Sequence, residues 1–146
     1  MADMGEEMTG VARSAEDMIA GMAPDLRAGE FIFVTIKDDA LAKALAADAL
    51  ASFREEEGVS LILPLAIAKD RGLSADHPMR SITLRVFSAL DGVGLTAAVS
   101  GALAGQGIAC NMVAAYHHDH VFIPAAMAER AFEILNGLQR SMTGRR

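Results

Sequence analysis

A glycine-broken turn, Leu90-Asp91-Gly92-Val93-Gly94-Leu95-Thr96, lies between an alternating apolar stretch and an alanine-rich one. No other feature constrains the fold as strongly. Ile82, Leu84 and Val86 alternate with Thr83, Arg85 and Phe87, the period of a half-buried strand. Leu95, Val99, Ala102 and Leu103 then fall on one face of a helix. The glycines remove the Cβ atoms that would block positive φ or close approach. The first helical N–H groups face outward as anion donors, a place that suits a carboxylate.

The rest of the chain reads as two runs of similar element order. Residues 9–22 predict a helix with Val11, Met18, Ile19 and Met22 as its apolar stripe, stopped at Pro24. Residues 31–36, rich in aromatic and β-branched types, predict a strand. The alanine-heavy segment 40–51 is helix-permissive. Residues 52–57 and 59–64 flank Gly58 as a hairpin, and Pro64 opens a short helix over 65–71 that Gly72 ends. After a polar linker over 74–79 containing Pro78, the order is strand 81–89, the glycine turn, helix 96–105, strands 108–116 and 120–124, and helix 125–139.

This second run resembles an ACT domain, the small amino-acid-sensing module of metabolic enzymes and regulators. The resemblance is carried by strand 81–89, the turn Asp91-Gly92-Val93-Gly94-Leu95, the helix behind it, strand 108–116 with Asn111, strand 120–124 and the last helix. It implies an α+β fold: a ferredoxin-like βαββαβ sandwich, with two ACT-like units in tandem and antiparallel sheets covered by helices. The expected divisions are a helical segment over 1–28, a degenerate ACT-like unit over 29–73, an ACT domain over 79–140 and a tail over 141–146. Val93 stands where such domains commonly carry proline, which leaves the turn less rigid.

One strand is missing from that plan. After the last helix only Ser141-Met142-Thr143-Gly144-Arg145-Arg146 remains, and it is no strand. An open sheet edge invites aggregation, so the fourth strand must come from elsewhere. Residues 31–36 are the best supplier within the chain, and a second copy of the protein is the alternative.

The resemblance also implies function: a non-catalytic regulatory module that binds a small molecule, an amino acid, as a homodimer. The ligand-binding residues would be Asp91, Gly92, Val93, Gly94, Leu95, Thr96, Asn111 and Met112. Backbone N–H groups of the turn would hold the carboxylate and Asp91 the ammonium. A plain strand-to-helix turn, with glycines for tight packing, explains the same residues. Asn111 is out of place in a strand; by resemblance it reaches a ligand across a dimer interface, and otherwise it is an edge residue bonded to backbone. Ala109 and Met112 would wall the pocket.

His117-His118-Asp119-His120 tempts a metal assignment, but alternation along a strand leaves at most two imidazoles converging, where zinc takes three or four ligands. A polar hairpin is the better reading, and no metal or cofactor is expected. Cys110, the sole cysteine, permits no internal disulfide and sits among apolar neighbours as an inert thiol. Thirteen basic against nineteen acidic residues, a net charge of −6, argue against a nucleic-acid partner. No apolar run approaches the roughly 20 residues that span a bilayer. The acidic start, residues 1–7, lacks the charge of a secretory signal, so a cytoplasmic protein is expected. No Ser-His-Asp order, HExxH motif or lysine-bearing phosphate loop can be assembled, so no enzyme is expected. An acylphosphatase-type hydrolase would need an arginine in the glycine turn. A ligand-free assembly module remains the alternative to the sensor.

Overall fold

The computed structural model describes residues 14–86 and 92–143. In chain order the elements are α1 (Ala15–Ala20), β1 (Pro24–Leu26), β2 (Phe31–Ile36), α2 (Asp39–Ala46), β3 (Ala51–Glu55), β4 (Gly58–Pro64), α3 (Leu65–Asp70), β5 (Met79–Leu84), α4 (Leu95–Ala104), β6 (Asn111–Ala114), β7 (Asp119–Pro124), a 3-10 turn (Ala125–Met127) and α5 (Ala128–Thr143). They form two compact units. An inserted unit comprises Ala28–Arg80, and a split unit is built from Met1–Arg27 together with Ser81–Arg146.

In the inserted unit β4 is central, pairing antiparallel with β2 from Phe31↔Pro64 to Ile36↔Val59 and with β3 from Ala51↔Ile62 to Glu55↔Gly58. Strand period puts Ile32, Val34 and Ile36 on the same face as Val59, Leu61 and Leu63, and helices α2 and α3 cover that face with Ala42, Leu45 and Ala68. Met79 pairs with Phe31 and so takes the fourth-strand position. Helix α2 stops at Ala46, short of the expected 51, because the Leu50 N–H bonds to the Ile62 carbonyl at 2.8 Å and draws the following residues into the hairpin. Tertiary pairing overrides the helix propensity of alanine there.

In the split unit the strand order is β1-β5-β7-β6. Leu95, Val99 and Leu103 of α4, and Ala128, Ala131 and Leu135 of α5, pack against Ile82, Leu84, Val121 and Ile123 of the sheet. Met18, Ile19 and Met22 join the same core. Burying each such side chain contributes about 1.5–3 kcal/mol relative to exposure, so the short helix α1 is held by its packing and not by its length.

Here the structure corrects the expectation for the fourth strand. Over Ile82–Leu84 the edge of β5 is closed by Pro24–Leu26, in register Pro24↔Leu84, Asp25↔Thr83 and Leu26↔Ile82, and 31–36 meets β5 only at Phe31↔Met79. Two further backbone bonds extend the ladder, Arg27 N–H to the Ser81 carbonyl at 2.9 Å and Arg85 N–H to the Ala23 carbonyl at 3.4 Å. The anchored helix α1 delivers this segment to the edge, so the described part of 1–28 is no separate helical segment. At the other end α5 runs to Thr143 and absorbs the start of the expected tail, because Leu138 and Met142 continue its apolar stripe.

The second half of each unit carries a shared local signature. Leu63-Pro64-Leu65-Ala66-Ile67-Ala68 and Ile123-Pro124-Ala125-Ala126-Met127-Ala128 both pass from strand to helix through proline, at φ/ψ of −55°/135° and −52°/134°. In both, the last alanine is buried, at 0% and 1% exposure. The inserted unit follows the ferredoxin-like βαββαβ order, the split unit has the same sheet order with its fourth strand drawn from ahead of β5, and the chain is a tandem α+β protein.

Candidate functional site

The glycine turn leads into α4 through Gly94, whose φ of 110° is left-handed and whose position as N-cap leaves the helix start without a side-chain cap. No acidic residue occupies the first turn. Asp91, the expected ammonium acceptor, lies outside the described residues. Val93 is 79% exposed, Thr96 is exposed, and Leu95 is buried in the core, so alternate residues of the turn face solvent and anchor the helix.

Helix α1 flanks this turn. A Cβ placed on Gly94 would lie 2.6 Å from the Ala15 Cβ, closer than real side chains approach, so glycine is required at that contact. Sequence reasoning missed Ala15. No local pattern pairs it with a residue so distant in the chain.

Asn111 opens strand β6. It is exposed and stands opposite Phe122, while Val113 stands opposite His120. The His120 Nδ1 lies 3.0 Å from the Thr83 Oγ1, and the His118 Nδ1 lies 3.5 Å from the Val86 carbonyl. Moving from Thr83 in β5 on to Val86 beyond its end therefore means moving from His120 in β7 back to His118 just before it, away from Phe122 and Asn111. The four residues from His118 to Phe122 place Asn111 on the order of 13 Å from the Val86 end along the strands. Asn111 thus lies toward the other end of the sheet from Val86. Met112 points to the opposite face and packs on the core beneath the helices, as strand alternation requires.

The face carrying Asn111 also holds a polar group that the sequence reading did not assemble. Asp25 on β1 accepts from Arg85 Nε at 2.9 Å and from Arg27 Nη1 at 3.0 Å, and the Arg85 Nη2 stands 2.7 Å away. The Arg85 guanidinium, with Arg27 second, holds the Asp25 carboxyl below its ordinary range. Thr83, 5% exposed, shares its hydroxyl with His120. Partial burial, reinforced by His118, pushes the His120 imidazole down from its ordinary value and favours its neutral form. The two imidazoles thus have separate partners. Cys110 is half-buried, and burial pushes its thiol up, away from the thiolate that nucleophilic chemistry needs. Among the described residues no helix is long and apolar enough to cross a membrane.

Comparisons with known proteins agree with this architecture. The family model for an ACT domain matches twice, over residues 12–80 and 76–137 in two variants. A crystal structure of a protein of unknown function from Vibrio cholerae, described as a possible transport protein, is 36% identical. The match covers 85% of this chain and 94% of that one, with a TM-score of 0.75. The regulatory subunits of aspartate kinase from Thermus thermophilus, in ligand-free form, and from Thermus flavus are 15% and 16% identical, with TM-scores of 0.58 and 0.56. The matches cover 79% and 81% of this chain and 95% and 96% of theirs, and at such identity they bear on the fold alone. No curated protein matches. With both units matched and a relative of this identity spanning nearly its whole length, the chain belongs to the ACT domain family.

Proposed function

We propose that this protein is a non-catalytic, cytoplasmic regulatory module that binds a small zwitterion, an amino acid, at Asp91, Gly92, Val93, Gly94, Leu95 and Thr96. The observation that carries the reading is the bare helix start at Gly94, with neither a capping side chain nor an acid in its first turn. Backbone N–H groups there receive the carboxylate, and Asp91 receives the ammonium. The placement of Asn111 toward the other end of the sheet from Val86 supports a homodimer in which Asn111 of one copy approaches the turn of the other. Occupancy would then be transmitted through the dimer interface.

A thermal-shift screen of the full chain against the twenty standard amino acids at millimolar concentration tests this. Binding to the folded state alone stabilises by about 2.7 kcal/mol at 100 times Kd, which is visible as a raised Tm. The expected result is a selective rise, lost in Asp91→Ala and in Asn111→Ala while both variants stay folded. A flat screen would sink the sensor reading. It would favour the second reading, a ligand-free assembly module, which the close seating of Ala15 on Gly94 supports because that contact already fills one side of the turn.

A further inference from the structure

We infer that the two units are not equivalent as binders: the inserted unit's joint between β2 and α2, the counterpart of the Gly94 turn, is closed to an anion by its own Asp38. This rests on the reading of the Gly94 turn as an amino-acid site, and it assigns one such site to each chain.

The correspondence between the joints comes from the cores. Ile32 and Ile36 of β2 lead toward α2 as Ile82 and Val86 lead toward α4, all four buried in the cores of their own units. The chemistry at the two joints differs. In the inserted unit only Lys37 and Asp38 separate β2 from α2, whereas residues 85–94 separate β5 from α4. The Asp38 side chain folds onto the helix it precedes, its Oδ2 accepting the Leu41 N–H at 2.9 Å, and its carbonyl accepts the Ala42 N–H at 2.9 Å. A carboxylate therefore already sits at the α2 start, covalently attached and always present. Asp39 adds a second negative charge in the first turn. An incoming carboxylate would have to displace an intramolecular cap and approach two like charges, and the short joint leaves no loop to wrap it. At α4 the same place is held by Gly94, followed by Leu95, Thr96 and Ala97, none of them acidic.

Tandem duplication would otherwise imply two sites per chain. The self-capped joint makes the inserted unit a structural partner and leaves a homodimer with two amino-acid sites.

Residue-resolved NMR on the full 15N-labelled chain, titrated with each of the twenty standard amino acids at millimolar concentration, tests the inference. The expected result is saturable movement of the Gly92, Gly94, Leu95 and Thr96 amides while those of Asp39, Ala40 and Leu41 stay in place. Asp38→Asn, which keeps size and a capping oxygen, should leave the dissociation constant read at Gly94 within about twofold of the parent, as for independent sites. Comparable saturable movement at Asp39 to Leu41, or a larger change in affinity in Asp38→Asn, overturns the inference while leaving the Gly94 site standing. No movement at either joint with any amino acid overturns the amino-acid reading itself, and the inference with it.

Discussion

Ala15 and Gly94 meet so closely that the space where a Gly94 Cβ would project is already filled by the Ala15 methyl, 2.6 Å away. Gly94 also holds φ at 110°, where a side chain is strained whatever the space around it. Gly94→Ala is therefore expected to lower unfolding free energy by about 2–4 kcal/mol, the sum of backbone strain and overpacking. Urea unfolding measures it. The double variant Ala15→Gly, Gly94→Ala should recover the steric share only, giving a coupling between the two sites. Additive losses would mean that Ala15 is not the obstacle.

His120 gives a pH signature of known sign. Its folded-state affinity for a proton is lowered by burial first and by His118 next, while the unfolded chain titrates at the ordinary 6.5. The unfolded state therefore binds the proton more readily, and stability falls as pH drops through 6.5 until the folded imidazole itself is protonated. His120→Gln, whose amide retains a partner for Thr83, should flatten that decline between about pH 8 and pH 5 in paired urea titrations. Parallel curves for the two proteins would refute the assignment.

Asp25 predicts a loss of the same sign at lower pH. Its carboxyl is held below the ordinary 3.8 by Arg85 and then by Arg27, so its contribution is present above that value and is lost as pH falls through the depressed one. The group is open to solvent, and salt screens it. Asp25→Asn should lower Tm near neutral pH, more in low salt than in high. A salt-independent loss would instead indicate damage to the β1–β5 pairing.

Asp38→Ala removes the side-chain cap of α2, the bond that its carboxylate accepts from the Leu41 N–H. A loss of about 1 kcal/mol is expected, within the usual range of 0.5–2 kcal/mol for such caps. Asp38→Asn should lose less, because its carbonyl oxygen still accepts. Equal losses in the two variants would show that charge at the helix start, not the hydrogen bond, is what matters.

Much of this architecture is legible locally. The alternation of Ile82, Leu84 and Val86, the hairpin about Gly58, and the prolines at 64 and 124 all mark elements through spacing or backbone chemistry that acts within a few residues. The repeated Leu63-Pro64 and Ile123-Pro124 segments, compared directly, would have strengthened the tandem reading further. What stayed hidden is long-range. Pro24-Asp25-Leu26 is too short and too polar to announce a strand, and only the anchoring of Met18, Ile19 and Met22 makes it one. Ala15 on Gly94 and Thr83 on His120 join segments that no periodicity links. Asn111 stands out as polar in an apolar strand, yet its place opposite Phe122 is a property of register, which the sequence does not display.

The closing of the β5 edge by Pro24–Leu26 has a consequence for how the chain is made. The pair Leu26↔Ile82 encloses the whole of Ala28–Arg80, so a strand synthesised early must wait for its partner. An unfolded loop of that length makes closure slow and entropically costly. Collapse of the inserted unit on its own short-range hairpin shortens the loop before the ends meet. The loop-closure argument thus favours one order, the middle of the chain first and its two flanks together afterwards. A lesion at Asp25 falls on the unit that needs both flanks of the chain, whatever its place in the reading frame.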